Sequence, residues 1–242
     1  MHEQLWLTAI FNRYLAAPAN AILDAVHVSH NPQRPWANFV TMEIVVALII
    51  VVVFAILRPQ LSMDRPGKLQ HIFEVIYDFL HGQTDEAVGH HGQQYLPFFG
   101  TLFIFILFAN LIGVVPTFES PTMFPAVPAG LAVSAFLFYN YTGIRENGVG
   151  KYLAHFAGPM PLLAPLMIPI EIISHLARPL SLTIRLYANM FAGEQVTMAF
   201  LGLTFVFGFP FMGLHIFVSF LQAFVFTLLT MIYVGGATAH EH

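Results

Sequence analysis

Residues 171–194 read EIISHLARPLSLTIRLYANMFAGE, and this stretch carries two arginines and two glutamates inside otherwise apolar, helix-forming sequence. An α-helix turns about 100° per residue, which places several of the polar residues on one face. The residues on this narrow stripe are Glu171, Ser174, Arg178, Ser181, Arg185 and Asn189. An arginine at membrane depth costs about 2.5–3.5 kcal/mol on insertion scales. Such a cost indicates a charge with a function or a partner, and we interpret the stripe as a path for ions.

The composition places this stretch in a membrane. The chain has 242 residues, of which 57% are hydrophobic and only 9% charged, with a mean hydropathy of +0.71. Soluble domains carry about 25% charged residues. This deficit, together with several apolar runs of spanning length, predicts an all-α polytopic membrane protein that forms a single membrane domain. A net charge of −4 argues against nucleic acid as a partner, and the absence of cysteine excludes disulfides and thiolate metal sites.

The hydrophobic pattern divides the chain into about five crossings and two amphipathic segments. We expect an outer N-terminal segment over 1–36, spans over 38–58, 97–116 and 126–144, a cytoplasmic amphipathic helix over 64–90, and a helix hairpin over 166–236. In the hairpin, the pattern stays helical from 167 to about 205, with a kink at Pro179 and a turn at 208–210. A helix of roughly 58 Å is about twice as long as the ~30 Å hydrocarbon core, which predicts strong tilt.

The basic residues set the predicted orientation. They follow the first and the third spans as Arg58, Arg65 and Lys68, and then Arg145 and Lys151. Positive residues favour the cytoplasmic side. The ends of the first and third spans should lie on the same side of the membrane, because two crossings separate them, and both ends are basic. The N-terminus is therefore predicted outside and the C-terminus in the cytoplasm. Asn110, in the second span, is expected to make a hydrogen bond between helices.

Arg185 is the sharpest single feature of the sequence. Glu194 lies about 180° around the helix from it, and Glu171 shares its face but lies about 21 Å away. Arg185 therefore faces something that its own helix does not supply, beside small residues that would let another helix approach: Ser181, Ala188 and Ala192. The alternative is a cation that is paired internally and fixes helix packing. For Arg178, nearer the cytoplasmic end, a structural role is favoured.

A second group of polar residues lies on the last helix. His215, Ser219 and Gln222 share one face by their spacing of four and three. If the hairpin folds about its predicted turn, Glu194 and His215 lie near the same depth on the outer side. A carboxylate and an imidazole at membrane depth suit proton relay, whereas a buried hydrogen-bonded pair is the alternative. Arg185 would stand between this outer set and an inner set formed by Glu171, Ser174 and Ser181.

Two motifs resemble subunit a of the bacterial F-type rotary ATP synthase. The first, L-x-x-R-L-x-x-N-M-x-A-G-E, covers Leu182–Glu194, and the second, H-I-x(5)-Q-A-F-x-F-x-x-L-T-x-x-Y, covers His215–Tyr233. The resemblance extends over about 60–236. The chain departs from many relatives near the start of the third span, where they carry an Asp and an Asn and this chain has MFPA at 123–126.

The resemblance implies a proton-translocating stator subunit without catalysis of its own, in the cell inner membrane. Its partners would be the c-ring, b-type peripheral stalk subunits and membrane lipid. Two offset half-channels would lead to and from the c-ring carboxylate, separated by Arg185, and would couple proton flow to ring rotation and ATP synthesis. The other matched proton-translocation positions are Glu171, Ser174, Asn189, Glu194, His215 and Gln222. No cofactor or metal is expected, and the chain contains no G-x-x-x-x-G-K-[ST] nucleotide loop.

Two other classes of protein remain as alternatives. A secondary transporter could use Arg185 to bind an anionic substrate, but the sequence shows no internal repeat with paired broken helices. A membrane metalloenzyme could use the twelve histidines, but these are scattered, and only His175 and His215 fall in expected spans. The choice between proton and sodium stays open, because the carboxylate that would decide it belongs to the ring.

Overall fold

The computed structural model describes residues 4–25, 27, 31–62, 66–115, 117–155, 164–203 and 205–238, and over these residues the secondary structure is helical, with no strand. The helices of this part are α1 Trp6–Tyr14, α2 Ala16–Ala25, α3 Asn38–Leu57, α4 Lys68–Val88, α5 Leu96–Leu111, α6 Ala126–His155, α7 Ala164–Leu203 and α8 Phe205–Thr238. Short 3₁₀ turns cover Arg58–Gln60, His90–Tyr95, Ile112–Val114 and Pro121–Met123. The predicted all-α fold is confirmed.

Three of the described helical stretches are long and apolar enough to cross a membrane, at 38–60, 92–114 and 210–238. They contain α3, α5 and most of α8, and α3 and α5 are apolar around their whole circumference. The chain is therefore a polytopic membrane protein. α6 and α7, with 30 and 40 residues, also have spanning length but carry more polar residues. Their crossings, and with them the count of five and the strong tilt, stay predictions.

The core lies where α5, α6 and α7 meet around α8. Its buried side chains include Phe99, Phe103 and Ile106 of α5, Tyr139 of α6, Leu182, Leu186 and Met190 of α7, and Phe226, Met231 and Val234 of α8. Fully buried alanines at 132, 135 and 223 let the helices approach closely, whereas larger side chains at these positions would hold them apart. α7 and α8 are thus held side by side through much of their length, and this contact positions the polar residues described below.

α4 packs against the C-terminal half of α8. Leu80 is buried in the core, the Thr84 hydroxyl contacts the sulfur of Met231 at 3.8 Å, and the backbone of Gly235 lies directly against the carbonyl of Ala87. The amphipathic pattern correctly indicates a helix here but not the surface that covers its apolar face. α4 ends at Val88 and is followed by Gly89, whose φ of 85° lies in the left-handed region that favours glycine.

The predicted turn of the hairpin is wrong. α7 ends at Leu203 and α8 begins at Phe205, so the helices separate before 208–210 and Pro210 lies inside α8. A proline removes one backbone hydrogen bond, and membrane helices tolerate this loss where neighbouring groups satisfy the freed carbonyl. α6 also continues beyond its expected end at 144 and bends at Gly148, which has a φ of 74°.

Candidate functional site

The two arginines of α7 have different surroundings. The guanidinium of Arg178 lies 3.6 Å from a carboxylate oxygen of Glu171. It also lies over two aromatic rings, with centroids at 5.2 Å for Tyr233 and 6.0 Å for Tyr139. The carboxylate balances its charge and the ring faces stabilise the cation. Arg178 therefore has the structural environment that its sequence position favours.

Arg185 is partly exposed and has no comparable partner. Among the residues that the structure describes, no carboxylate lies at ion-pair distance from its guanidinium, and it makes no hydrogen bond. The small residues around it on α7 are uncovered, as is Asn189, one turn further on. The neighbouring side of the helix, about 100–180° around from Arg185, exposes large apolar side chains at Ile173, Leu176, Leu180 and Ile184. Arg185 thus lies at the edge of an apolar helix face that no described part of this chain covers.

Glu194 and His215 lie close together inside the protein. Glu194 is only 4% exposed, and its carboxylate lies within hydrogen-bonding reach of the backbone N–H of Ser120. His215 packs against Gly193, where an added Cβ would stand 3.4 Å from the ring Nδ1. The ring is also within hydrogen-bonding reach of the backbone carbonyls of Gly193 and Asn110. The α7–α8 contact therefore brings the two titratable groups to the same depth.

A buried network of hydroxyl and amide groups surrounds this pair. The Asn110 amide donates to the carbonyl of Ser219 at 3.2 Å and accepts from the Thr122 hydroxyl at 2.6 Å. Thr122 in turn lies 2.7 Å from the Ser120 hydroxyl, which donates to the carbonyl of Ala109 at 2.9 Å. The predicted interhelical hydrogen bond of Asn110 is confirmed. Sequence reasoning missed Ser120 and Thr122, because they lie in a proline-interrupted loop where no helical spacing marks them.

Several buried polar atoms near this network have no partner among the described residues. They are the Oε2 of Glu194, the Nε2 of His215 and the hydroxyls of Ser219 and Thr227. Buried polar groups are almost always hydrogen-bonded, and water is the partner that such groups take when the protein supplies none. Gln222 lies partly buried one turn beyond Ser219 on α8. The face of α8 from His215 to Gln222 is therefore suited to a chain of water molecules.

A second polar network lies nearer the other end of α7. The Nε2 of buried His175 is 2.8 Å from the Asn140 side-chain oxygen and 3.3 Å from the Tyr139 hydroxyl. The Tyr152 hydroxyl donates to the same oxygen of Asn140 at 2.8 Å. This network joins α6 to α7 beside Arg178. Sequence reasoning missed it as well, since its members are far apart along the chain.

The remaining residues singled out from the sequence fall into separate places. Glu171 is engaged with Arg178, and Ser174 is exposed one turn along the helix. Both lie far along α7 from Glu194. Asn189 stands on the exposed face near Arg185, apart from the Glu194 cluster. Within the described ranges no group of three His, Asp or Glu side chains could hold a metal ion.

Comparison with known proteins gives the family. A family model described as ATP synthase A chain matches residues 39–235. The chain is 68% identical over 234 residues to the ATP synthase subunit a of Solibacter usitatus, covering 96% of this chain and all of that protein. It is 51% identical over 245 residues to the subunit a of Koribacter versatilis, with both chains fully covered. For the subunit a of Bdellovibrio bacteriovorus the identity is 46% over 175 residues, 72% of this chain and 76% of that protein. The chain therefore belongs to the ATP synthase subunit a family, the non-catalytic, proton-translocating stator subunits of the membrane sector of F-type ATP synthase.

Proposed function

We propose that this chain provides two offset half-channels, one to and one from a carboxylate on the c-ring, and that Arg185 separates them. Protons enter from the outer side through Glu194 and His215 and neutralise the ring carboxylate. After nearly a full rotation of the ring they leave beside Arg185 on the cytoplasmic side, along Ser174 and Glu171. The flow of protons is thereby coupled to rotation of the ring.

The observation that carries this proposal is the contrast between the two arginines. Arg178 is balanced by Glu171 at 3.6 Å, whereas no described residue balances Arg185. A guanidinium at membrane depth is costly without a counter-charge. The uncovered apolar face beside Arg185 gives a neighbouring helix room to bring that counter-charge. A carboxylate on the ring meets both requirements.

The charge of Arg185 explains why the ring must turn. A nearby cation favours the ionised form of a carboxylate, so the ring group releases its proton when it comes opposite Arg185. The same cation repels a proton that would pass directly between the half-channels. A proton can then cross only while bound to the ring.

The buried cluster supports the assignment of the outer half-channel. Glu194 and His215 can each bind and release a proton, and the unpartnered hydroxyl of Ser219 continues from them along α8. Gln222 lies on the same stretch of α8 and is assigned to the same path. This path approaches the depth of Arg185 from the hairpin end. Glu171 and Ser174 approach it from the opposite end of α7.

The arrangement of helix ends supports an outer N-terminus and a cytoplasmic C-terminus in the cell inner membrane. The end of α8 contacts α4 through Gly235 and Ala87, and α6 through a 2.8 Å hydrogen bond from Asn147 to the carbonyl of Ala237. Asn147 lies between Arg145 and Lys151 in the sequence, and basic residues favour the cytoplasm. α3, with exposed Val51 and Val52, presents its apolar surface to lipid and to the b-type stalk.

The experiment that tests the proposal removes each arginine in turn from the whole ATP synthase in vesicles. Arg185→Gln is expected to abolish ATP-driven proton pumping, because no cation then enforces release from the ring. ATP hydrolysis by the detached soluble sector should be unchanged. Retained pumping would refute the role of Arg185.

Arg178→Gln is the matched control. It removes the same charge two turns away on the same helix, but from a site that already contains its counter-charge. We expect this variant to assemble less well, with pumping retained in the complexes that do assemble. Loss of pumping in both variants at equal assembly would remove the distinction on which the proposal rests.

A further inference from the structure

We propose that α1 lies in the membrane interface, with its exposed aromatic face among the phospholipid headgroups of the leaflet in which α3 begins. None of the residues used in the proposed function lies on α1 or α2, so this binding surface is separate from the proton path. Two features support the assignment. They are the attachment of α1 to the first span and the chemistry of the face that α1 leaves exposed.

α1 is tied to the segment of chain that leads into α3. The backbone N–H of Leu5 donates to the side-chain oxygen of Asn38, the first residue of α3, at 3.3 Å. Further along α1, the side chain of Asn12 forms two hydrogen bonds with the backbone of Trp36, at 2.9 and 3.1 Å. The indole N–H of Trp36 donates to the carbonyl of Leu15 at 2.9 Å. Both ends of α1 are therefore held at the level where the first span begins.

One side of α1 faces the rest of the protein. Thr8 is only 1% exposed, and the ring of Phe11 meets that of Trp36 edge to face, with centroids 5.5 Å apart. Asn12 and Leu15, which contact Trp36, lie within the same arc of about 100° on the helix. This side of α1 is therefore the one that docks on the chain.

The opposite side of α1 exposes an apolar stripe. Trp6, Ile10 and Tyr14 follow one another at a spacing of four, and 54%, 44% and 71% of their surfaces are exposed. Trp6 also reaches the loop that follows α5, where its ring stacks on that of Phe118 at 6.4 Å. α1 thus lies beside the ends of two membrane spans, α3 and α5, and its stripe points away from the contacts that hold it.

The composition of this face suits the headgroup region. Tryptophan and tyrosine are enriched at membrane–water interfaces, because their rings are apolar and carry one polar group. Arg13 lies on the same side of α1, with its guanidinium 5.6 Å from the centroid of the Tyr14 ring. Deep insertion would bring this charge into hydrocarbon, whereas full exposure would leave the apolar stripe in water. The headgroup region avoids both costs.

The surface of α3 continues that of α1 into the bilayer. α3 is apolar around its whole circumference and exposes large side chains further along, among them Leu48, Val51 and Val52. A helix fixed at the beginning of this span meets the headgroups of the same leaflet. Arg13 is the one charged residue of α1, so the attachment depends on apolar contact rather than on anionic lipid.

The test uses the full-length chain in vesicles of phosphatidylcholine and takes tryptophan fluorescence as the reporter. The chain has two tryptophans, and Trp36→Phe leaves Trp6 as the single one. Lipids brominated near the carbonyl end of the acyl chain should quench its emission strongly, and lipids brominated near the methyl end should quench it less. Acrylamide dissolved in the water should quench it little.

Trp6→Phe is the matched control, because it leaves Trp36, whose ring packs on Phe11 and whose N–H is bonded to Leu15. Brominated lipid should reduce the emission of Trp36 less than that of Trp6. Replacing part of the phosphatidylcholine with anionic phosphatidylglycerol should leave the quenching of Trp6 unchanged.

Three outcomes overturn the proposal. Stronger quenching of Trp6 from the methyl end would place α1 deep in the bilayer, and quenching by acrylamide without quenching by lipid would place it in water. No quenching by either would show that protein covers the stripe, such as a second copy of the chain.

A second measurement applies if Trp36→Phe does not fold. The chain contains no cysteine, so a spin label on Ile10→Cys reports that position alone. Oxygen, which partitions into lipid, should relax this label more than a water-soluble nickel chelate does. The reverse order would equally overturn the assignment.

Discussion

Arg178 and Arg185 are the same residue type on the same face of one helix, and their environments are set by other helices. Seven residues are about two helical turns, so both side chains leave α7 in nearly the same direction. α6 and α8 bring Tyr139 and Tyr233 to Arg178, and Glu171 reaches it from the same helix. No described element does this for Arg185. The position of neighbouring helices thus decides which cation is structural and which is available to a partner.

At this scale the sequence predicts some contacts and not others. Helical geometry alone indicates that Arg185 cannot reach Glu171 or Glu194. It does not indicate that Glu171 and Arg178 pair, because a separation of seven residues exceeds the three or four that usually join side chains on a helix. Here the side chains of Glu171 and Arg178, which are 32% and 30% exposed, bridge that distance. Ser120 could not be predicted either, since its partners come from tertiary packing.

Glu194→Gln tests the titratable group of the buried cluster. The amide has nearly the same volume and can still accept the Ser120 N–H, but it cannot bind and release a proton. We expect proton transport to slow several-fold without stopping, because His215 and water remain on the path. The measurement is ATP-driven acidification of vesicles that contain the whole enzyme.

Glu194→Asp provides the comparison for this variant, because it keeps a carboxylate in the cluster. Its transport rate should lie between that of the wild type and that of Glu194→Gln. An unchanged rate in Glu194→Gln would remove this residue from the proton path.

Among the elements, the most accurate predictions concern helices that are apolar on all sides. α3 runs over Asn38–Leu57 and α5 over Leu96–Leu111, close to the expected spans, because a long apolar run has few alternatives in a membrane. The predicted hairpin turn is wrong because proline and glycine are turn signals in water, whereas Pro210 is accommodated inside α8. The packing of α4 on α8 could not be predicted, since periodicity reveals an apolar face but not what covers it.

Gly235→Ala tests the contact between α4 and α8. A Cβ at Gly235 would overlap the carbonyl oxygen of Ala87, a backbone atom that cannot move without displacing α4. Overpacking of this kind typically costs about 1–3 kcal/mol. We expect a lower thermal stability of the detergent-solubilised complex and less of this chain in assembled enzyme.

Gly236→Ala is the control for this contact, because a Cβ at the next position meets no atom within 4 Å. It should leave stability unchanged or raise it slightly, since alanine favours the helix. Equal stability of the Gly235→Ala variant and the wild type would contradict the close backbone approach.

For the molecule as a whole, the described surface indicates that function depends on a partner. The proposed outer half-channel residues are gathered inside the chain around α8, but Arg185 stands beside a face of α7 that no described residue covers. A proton that reaches the level of Arg185 from Glu194 meets a cation and has no described carboxylate to carry it further. In the proposed scheme the chain supplies the approaches to a proton carrier, and the ring supplies the carrier itself.

This dependence predicts that the chain alone does not conduct protons. In vesicles with an imposed membrane potential, the purified chain should give no proton flux above that of empty vesicles, because Arg185 blocks direct passage between the two approaches. Addition of the c-ring in the same vesicles should produce flux, since a rotating carboxylate then carries each proton past the arginine. Flux is followed with a pH-sensitive dye after addition of a potassium ionophore. A flux through the chain alone that equals the flux with the ring would show a continuous path past Arg185, and the separation of the two half-channels would then be wrong.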